Sequence, residues 1–480
     1  MSHRLESEDQ WRVRFTEMKA GMLPKEAAEE SNRCLYCYDA PCITACPTGI
    51  PIPSFIRRIA TGNLKGAATA IMEANPVGAS CARVCPTEEL CEGACVLNDT
   101  SKPIRIGDLQ RYATDWAMKN KANLFRAGAP NGKRAAVIGS GPAGLSAARE
   151  LARLGFEVVI YEAKDKAGGL NAYGIVSYRL PEAVADWEVE QVRELGVVIH
   201  TGIEVGKHLA AEELLRGFDA VVLAIGMGKV PGLGIEGEEL SGVYDAIELV
   251  ESTKGESPPS LSGRRVLVIG AGNTAVDAAV TSVRLGAANV KMVYRRTEKE
   301  MTAYAFEYAS AKEEGVEFRW LLAPKRMIGN EGGAVTGLEC VRMRLTESGG
   351  AGERAVPEPI PGSEVILPAD AVIRAIGQSR LVGLLDSLGV AHDKGIIQVH
   401  PETYQTSNPQ VYAAGDVLFG SGAGEAMVVS AAQQGKLAAW ALNEQLGLRS
   451  GFAPQNLSSS LRSGFAPQNL KEESSDGSVD

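Results

Sequence analysis

The sequence predicts an α-helical, cysteine-bearing domain followed by two α/β Rossmann-like dinucleotide-binding domains, the second inserted in the first. Three observations predict it. Eight of the nine cysteines fall between Cys34 and Cys95, in a stretch of helical pattern. Glycine-rich turns stand between an apolar strand and a helix pattern at Gly139–Gly144 and again at Gly270–Ala275. After the second of these, the strand pattern resumes and ends in Val411–Asp416. A length of 480 residues is in keeping, at about 150 per domain.

Composition narrows the function. Lys and Arg number 49 against 59 Asp and Glu, a net charge of −10, which argues against nucleic-acid and anionic-membrane binding. At 45% hydrophobic and 22% charged, the chain reads as an ordinary globular protein. No apolar run approaches the ~18 residues of a membrane helix, and the opening MSHRLESEDQ has no apolar signal core. A cytoplasmic location is expected, and clustered cysteines there point to metal or cluster ligation rather than disulfides.

In chain order, residues 1–127 form the helical domain and Gly128–Lys133 a polar linker. The strand at Ala135–Ile138 leads into Gly139-Ser140-Gly141-Pro142-Ala143-Gly144 and a helix to about Leu154. Gly139, Gly141 and Gly144, with Pro142 and Ala143, let a pyrophosphate rest on the helix amino terminus. The next strand, Phe156–Tyr161, ends at Glu162, where a ribose-binding carboxylate should stand. The Gly168-Gly169-Leu170 that follows is typical of flavin enzymes, so the first loop is assigned to FAD. Gly255–Gly263 is a second break.

The second loop is Gly270-Ala271-Gly272-Asn273-Thr274-Ala275, between the strand Arg265–Ile269 and a helix near Ala275–Leu285. Its following strand, Asn289–Tyr294, ends in Arg295-Arg296 instead of a carboxylate. Two guanidinium groups suit a 2′-phosphate, so NADPH is preferred to NADH, with a solvated basic turn as the alternative. Leu223–Gly226 and Ala375–Gln378 mark returns of the chain close to a nucleotide. Val411–Asp416 resembles the element of FAD-dependent pyridine-nucleotide oxidoreductases whose aspartate, here Asp416 after Gly415, bonds the ribityl chain. The expected domains are FAD-binding at 131–255 and 371–447, and NAD(P)-binding at 256–370. From Leu448 the string LRSGFAPQNL occurs twice, and residues 448–480 are expected to be a disordered tail.

Hydride transfer between a nicotinamide and a flavin demands proximity more than acid–base groups, so no catalytic side chain is expected on this chain. The nucleotide domain has no CxxC pair, and Cys340 stands alone, as a buried apolar residue would. Electrons must therefore leave elsewhere. The spacings C-x2-C-x4-C-x3-C-P from Cys34 and C-x3-C-P-x4-C-x3-C from Cys81 suit iron–sulfur clusters. Zinc is the competing reading, but it does no redox chemistry. The first domain is then an α-helical iron–sulfur domain.

Across about residues 25–447, with Cys34–Cys42 and Ser80–Thr87 as the closest stretches, the sequence resembles one family. It holds the glutamate synthase small subunit and the amino-terminal, electron-input part of dihydropyrimidine dehydrogenase. The resemblance implies two 4Fe–4S clusters with interleaved ligands. Cys34, Cys37, Cys42 and Cys95 would hold one, and Cys46, Cys85, Cys91 and Gln110 the other. Cys81 is then spare, whereas a plain cysteine count makes it a ligand. The resemblance also places Glu162, Leu170, Arg179 and Val205 near FAD. Ala271, Gly272, Asn273, Thr274, Arg295, Arg296, Ala375, Ile376 and Gly377 fall around the nicotinamide nucleotide. The sequence departs from the pattern at Thr302 and at Leu418–Ala423, which reads as an insertion. What the family implies is an electron-input subunit. NADPH or NADH reduces FAD, and electrons pass through the clusters to an FMN-containing catalytic partner that reduces uracil or thymine. The alternatives are a glutamate synthase small subunit and a non-catalytic cluster-bearing scaffold.

Overall fold

Two five-stranded parallel sheets carry the two glycine loops, in a computed structural model that describes residues 13–254, 258–346, 355–420 and 426–448. In the first sheet the strand order is Val411–Ala413, Ala220–Leu223, Arg134–Ile138, Glu157–Tyr161, Val198–His200. Parallel strands are covered on both faces, which is why they read as unbroken apolar runs: Ala135, Ala136 and Val137 are wholly buried. The helices Pro142–Arg153 and Val428–Gln445 cover this sheet and supply its core with Leu145, Leu151 and Leu442.

The second sheet runs Val243–Asp245, Ala371–Arg374, Arg265–Ile269, Asn289–Tyr294, Glu317–Trp320. Beside it in sequence lies an antiparallel four-stranded sheet built on Val335–Thr346, paired with Leu322–Gly329, Val356–Pro359 and Val365–Pro368. Cys340 sits wholly buried on its central strand.

The helical block comprises Pro24–Arg33, Pro41–Thr44, Ile52–Ala60, Leu64–Ala74, Gly78–Val84 and Ile106–Lys119. Its core joins Phe55, Ile56, Ile71 and Leu109 to the cysteines Cys46 and Cys91.

The contacts divide the chain into two compact units. One joins the helical block to the first sheet, from Gly21–Gly169, Ala183–Met227 and the described residues from Arg380 on. The other joins Leu170–Glu182 and Gly228–Ser379 to the residues before Gly21. Two expected boundaries shift as a result. Val243–Asp245 and Ala371–Arg374, read from sequence into the first nucleotide domain, pair with each other and with Arg265–Ile269 in the second sheet. An apolar tripeptide carries no record of its pairing partner; Arg265, which holds Asp370 through its amide and guanidinium at 2.7–2.9 Å, helps to set this one. The repeated tail beyond Leu448, and residues 421–425 of the inserted stretch, lie outside the described residues. No helix of the described residues is long and apolar enough to cross a membrane.

Candidate cofactor sites

Both glycine loops are built the same way. Gly139 takes a positive φ of 97°, and a Cβ there would lie 2.4 Å from the carbonyl oxygen of Ala224. Gly270, at φ 137°, would meet the Ala375 carbonyl at 2.2 Å. Only glycine satisfies either position. The residues met are those of the two strand ends that sequence had marked as returns near a nucleotide. The helices that follow, Pro142–Arg153 and Asn273–Arg284, begin without a side-chain cap, which leaves backbone N–H groups pointing at the loop. Those donors fit a pyrophosphate.

At the first loop, Glu162 Oε2 accepts hydrogen bonds from Ser140 N at 2.9 Å and Ser140 Oγ at 2.5 Å. Ser140 Oγ in turn accepts from Gly168 N at 2.9 Å. The serine, not singled out from sequence, thus ties the loop to the carboxylate and to the Gly168-Gly169 turn. Val205 is buried just past the Glu162 strand, where Ile203 N bonds the Glu162 carbonyl at 2.9 Å. Gly415 N donates to Gln434 Oε1 at 2.8 Å. Asp416 is partly buried, no described residue bonds its carboxylate, and burial raises its pKa to about 6. An acceptor left without a protein partner fits a polyhydroxyl chain. Leu170 and Arg179 fall in the other compact unit, where Arg179 lies between Asp277 at 3.0 Å and Glu307 at 2.7 Å.

At the second loop, Ala271 O accepts from Thr302 N and Ala303 N, and Asn273 Oδ1 accepts from Tyr304 N at 3.1 Å. Thr302 therefore braces the loop. The arginine pair divides. Arg296 spends its Nε on the Ala355 carbonyl at 3.1 Å, whereas Arg295 is exposed and bonds no described residue. Ile376 is half-exposed and Gly377 has open space around it, on the same strand end as Ala375.

The cysteines gather in two groups. Cys34, Cys37, Cys42 and Cys95 line one cavity, walled by Ile56 and Ile104. Burial pushes the Cys42 thiol up to about 12, and Cys34, Cys95 and Cys37 beside it push the same way. Four crowded sulfurs become thiolates together only against a strong cationic centre, which is what iron supplies. In the second group, Cys46, Cys85 and Cys91 lie close enough to raise one another's pKa. Cys81 lies against Cys85 but is buried in the apolar core of the first sheet, with Val77 and Leu145. Gln110 is buried, and its Nε2 donates to Gly78 O at 2.7 Å. Its Oε1 bonds no described residue and so remains available as an oxygen ligand. The donor sets fit two clusters.

Sequence reasoning missed the polar network that joins the helical block to the first sheet. Arg149, wholly buried, holds the Met72 carbonyl, the Glu73 carbonyl at 3.0 Å and Glu150 Oε1 at 2.6 Å. Burial opposes ionisation of Glu150, but Arg149 and Arg153 overcome it and keep its carboxyl below the usual range. Glu188 caps the cysteine-bearing Gly78–Val84 helix, accepting from Ala79 N and Ser80 N at 2.8 and 2.9 Å. One sequence signal was available, Gly435 in the middle of an 18-residue helix. A Cβ there would lie 2.1 Å from the Ala143 carbonyl, so the two helices pack backbone to backbone.

Known proteins bear on these sites. The domain described as dihydropyrimidine dehydrogenase domain II, 4Fe-4S cluster, matches residues 11–122, and pyridine nucleotide-disulphide oxidoreductase matches residues 133–435. The chain is 36% identical to the NADPH glutamate synthase small chain of Halomonas elongata, over 88% of this chain and 92% of that one. It is 35% identical to the NAD-dependent dihydropyrimidine dehydrogenase subunit PreT of Salmonella typhimurium, over 90% and 97%. It is 36% identical to the NADP(+)-dependent formate dehydrogenase subunit beta of Moorella thermoacetica over 85% of this chain, but spans only 60% of that one. Among solved structures, Mycobacterium tuberculosis FprA in complex with NADPH shares the fold, with a TM-score of 0.55 at 20% identity over 66% of this chain and 85% of FprA. The chain belongs to the pyridine nucleotide-disulphide oxidoreductase family, in the 4Fe–4S branch that holds the glutamate synthase small chain and PreT, and is an NAD(P)-dependent FAD and iron–sulfur oxidoreductase subunit.

Proposed function

We propose that this chain is the electron-input subunit of a dihydropyrimidine dehydrogenase-like enzyme. NAD(P)H reduces FAD held by Gly139–Gly144, Glu162, Val205 and Asp416, in a domain into which the nucleotide domain is inserted. Single electrons leave through two 4Fe–4S clusters to an FMN-containing partner that reduces uracil or thymine. The observation that carries this reading is the gathering of Cys34, Cys37, Cys42 and Cys95 in one cavity and of Cys46, Cys85 and Cys91 in a second group. Both groups lie in the compact unit that holds the first glycine loop. FAD, once bound, accepts a hydride and releases electrons singly. The chain's own part is to hold the donors and acceptors. Ser140 orients Glu162, uncapped helix ends receive phosphates, and Ile56 and Ile104 wall the sulfurs from water. The likeness to the glutamate synthase small chain supports a second reading, in which the partner is a glutamine-dependent large chain.

Anaerobic titration with NADH and NADPH tests the first step: bleaching of a flavin spectrum is expected, and its absence would leave only a cluster-bearing scaffold. Uracil reduction by the chain reconstituted with its co-encoded FMN protein tests the last; no reduction, with glutamate formed instead, selects the second reading.

Donor choice gives a separate prediction. Arg295 is the guanidinium left free for a 2′-phosphate, and a charge-assisted hydrogen bond is worth about 1.5–3 kcal/mol. Arg295→Ala should therefore raise the KM for NADPH by about 10–100-fold and leave that for NADH unchanged. Arg296→Ala should do less, since its Nε already serves Ala355. Wild-type rates equal for the two donors would reduce the pair to a solvated turn.

A further inference from the structure

Three consecutive residues of the Val428–Gln445 helix reach both redox sites. Gln434 accepts from Gly415 N, next to Asp416 at the flavin site. Gly435 packs on Ala143 of the pyrophosphate loop. Lys436 points to the helical block, where its ammonium donates to the carbonyl of Ala74, at the end of the Leu64–Ala74 helix. Ala74 belongs to the core that contains Cys46 and Cys91. Lys436 also lies close enough to Cys46 for the two to interact electrostatically.

Lys436 is only 4% exposed. A buried ammonium is expensive, and lysine is almost never found so deep unless paired. The local charges do not balance it. Glu150 pairs with Arg149 at 2.6 Å and Arg153 at 3.3 Å, and Glu73 pairs with Arg153 at 2.9 Å. Three cations, Arg149, Arg153 and Lys436, thus face two carboxylates, and one positive charge is left over beside Cys46. Packing alone would be met by methionine, and the bond to Ala74 by glutamine. The charge itself requires another account.

We propose that Lys436 is the built-in counter-charge of the iron–sulfur cluster to which Cys46 contributes, raising that cluster's affinity for an electron delivered from the flavin. The inference rests on the reading that Cys46, Cys85 and Cys91 hold a cluster. Reduction of such a cluster adds one electron, and so one negative charge, with no bond made and no proton taken up. A fixed cation nearby stabilises the reduced form, and net charge and hydrogen bonding are known controls of cluster potential. Lys436 is a positioning and tuning residue, not a ligand.

The test is an EPR-monitored redox titration of the purified holoprotein, wild type against Lys436→Gln and Lys436→Arg. Glutamine keeps a donor for Ala74 and removes the charge. In K436Q one cluster should become at least tenfold harder to reduce, about 59 mV lower for a one-electron couple, with the other cluster, the FAD midpoint and iron per chain unchanged. K436R should restore the wild-type midpoint. An unshifted midpoint in K436Q at full iron content overturns the proposal, as does an equal shift of both clusters and FAD. Should K436Q lose iron, the midpoint of K436R decides: a match to wild type supports a role for charge, and a shift of tenfold or more refutes it. A wild-type chain with no iron and no EPR signal on dithionite reduction removes the cluster reading itself, a result that no variant is needed to recognise.

Discussion

Replacing Cys42 with alanine is expected to halve the iron of the purified chain, from about eight to about four atoms, while NAD(P)H still bleaches the flavin. Cys42 shares its cavity with Cys34, Cys37 and Cys95, and its thiol is the one most clearly raised by those neighbours. A three-sulfur remnant cannot close a cubane, so the loss should be complete for that cluster and absent for the other. Electron delivery to any one-electron acceptor downstream should fall with it, whereas hydride uptake should not. Iron analysis beside anaerobic bleaching separates the two outcomes. Retention of about eight irons in Cys42→Ala would remove this cysteine from the ligand set. The same assay decides the eighth ligand. Cys81 is buried among Val77 and Leu145 of the first-sheet core, and Gln110 presents an unbonded Oε1. Cys81→Ala should therefore keep its iron and Gln110→Ala should lose about four. The reverse pattern would make Cys81 the ligand.

The second large effect concerns stability. Arg149→Met should destabilise the chain by about 3–5 kcal/mol, because it leaves Glu150 buried with less compensation. The Met72 and Glu73 carbonyls also lose their donor. A lowered denaturant midpoint, with iron and flavin lost together, is the expected measurement, since Arg149 ties the helical block to the Pro142–Arg153 helix of the first sheet. Glu150 also accepts from Trp440 Nε1 at 3.0 Å. The double variant Arg149→Met/Glu150→Gln should therefore recover part of the loss, as coupled partners do. An unchanged midpoint in Arg149→Met would show that the network contributes only geometry.

Much of the candidate site was legible from short stretches of chain. Gly139 and Gly270 announce positive φ, Glu162 and Arg295 stand at strand ends, and the cysteine spacings name their chemistry, because each signal is local to one turn or one strand. The division of labour between Arg295 and Arg296 was not legible. It depends on the carbonyl of Ala355, which lies 59 residues away. Nor were Val243–Asp245 and Ala371–Arg374 assignable, since strand partners are chosen across more than 100 residues.

The sequence by itself determined the kind of protein: a cysteine-bearing helical block, two dinucleotide loops in a fixed order, and a late Gly415-Asp416 element. These rest on backbone constraints that act over a few residues. Only the tertiary structure decided which sulfurs meet and that Arg149, Glu150 and Lys436 are buried together between the helical block and the first sheet. It also decided that the strands flanking the second nucleotide loop belong to its sheet. The reason is that burying a charge, like gathering four thiols, becomes favourable only when distant segments supply the partners, and no local pattern records which ones will.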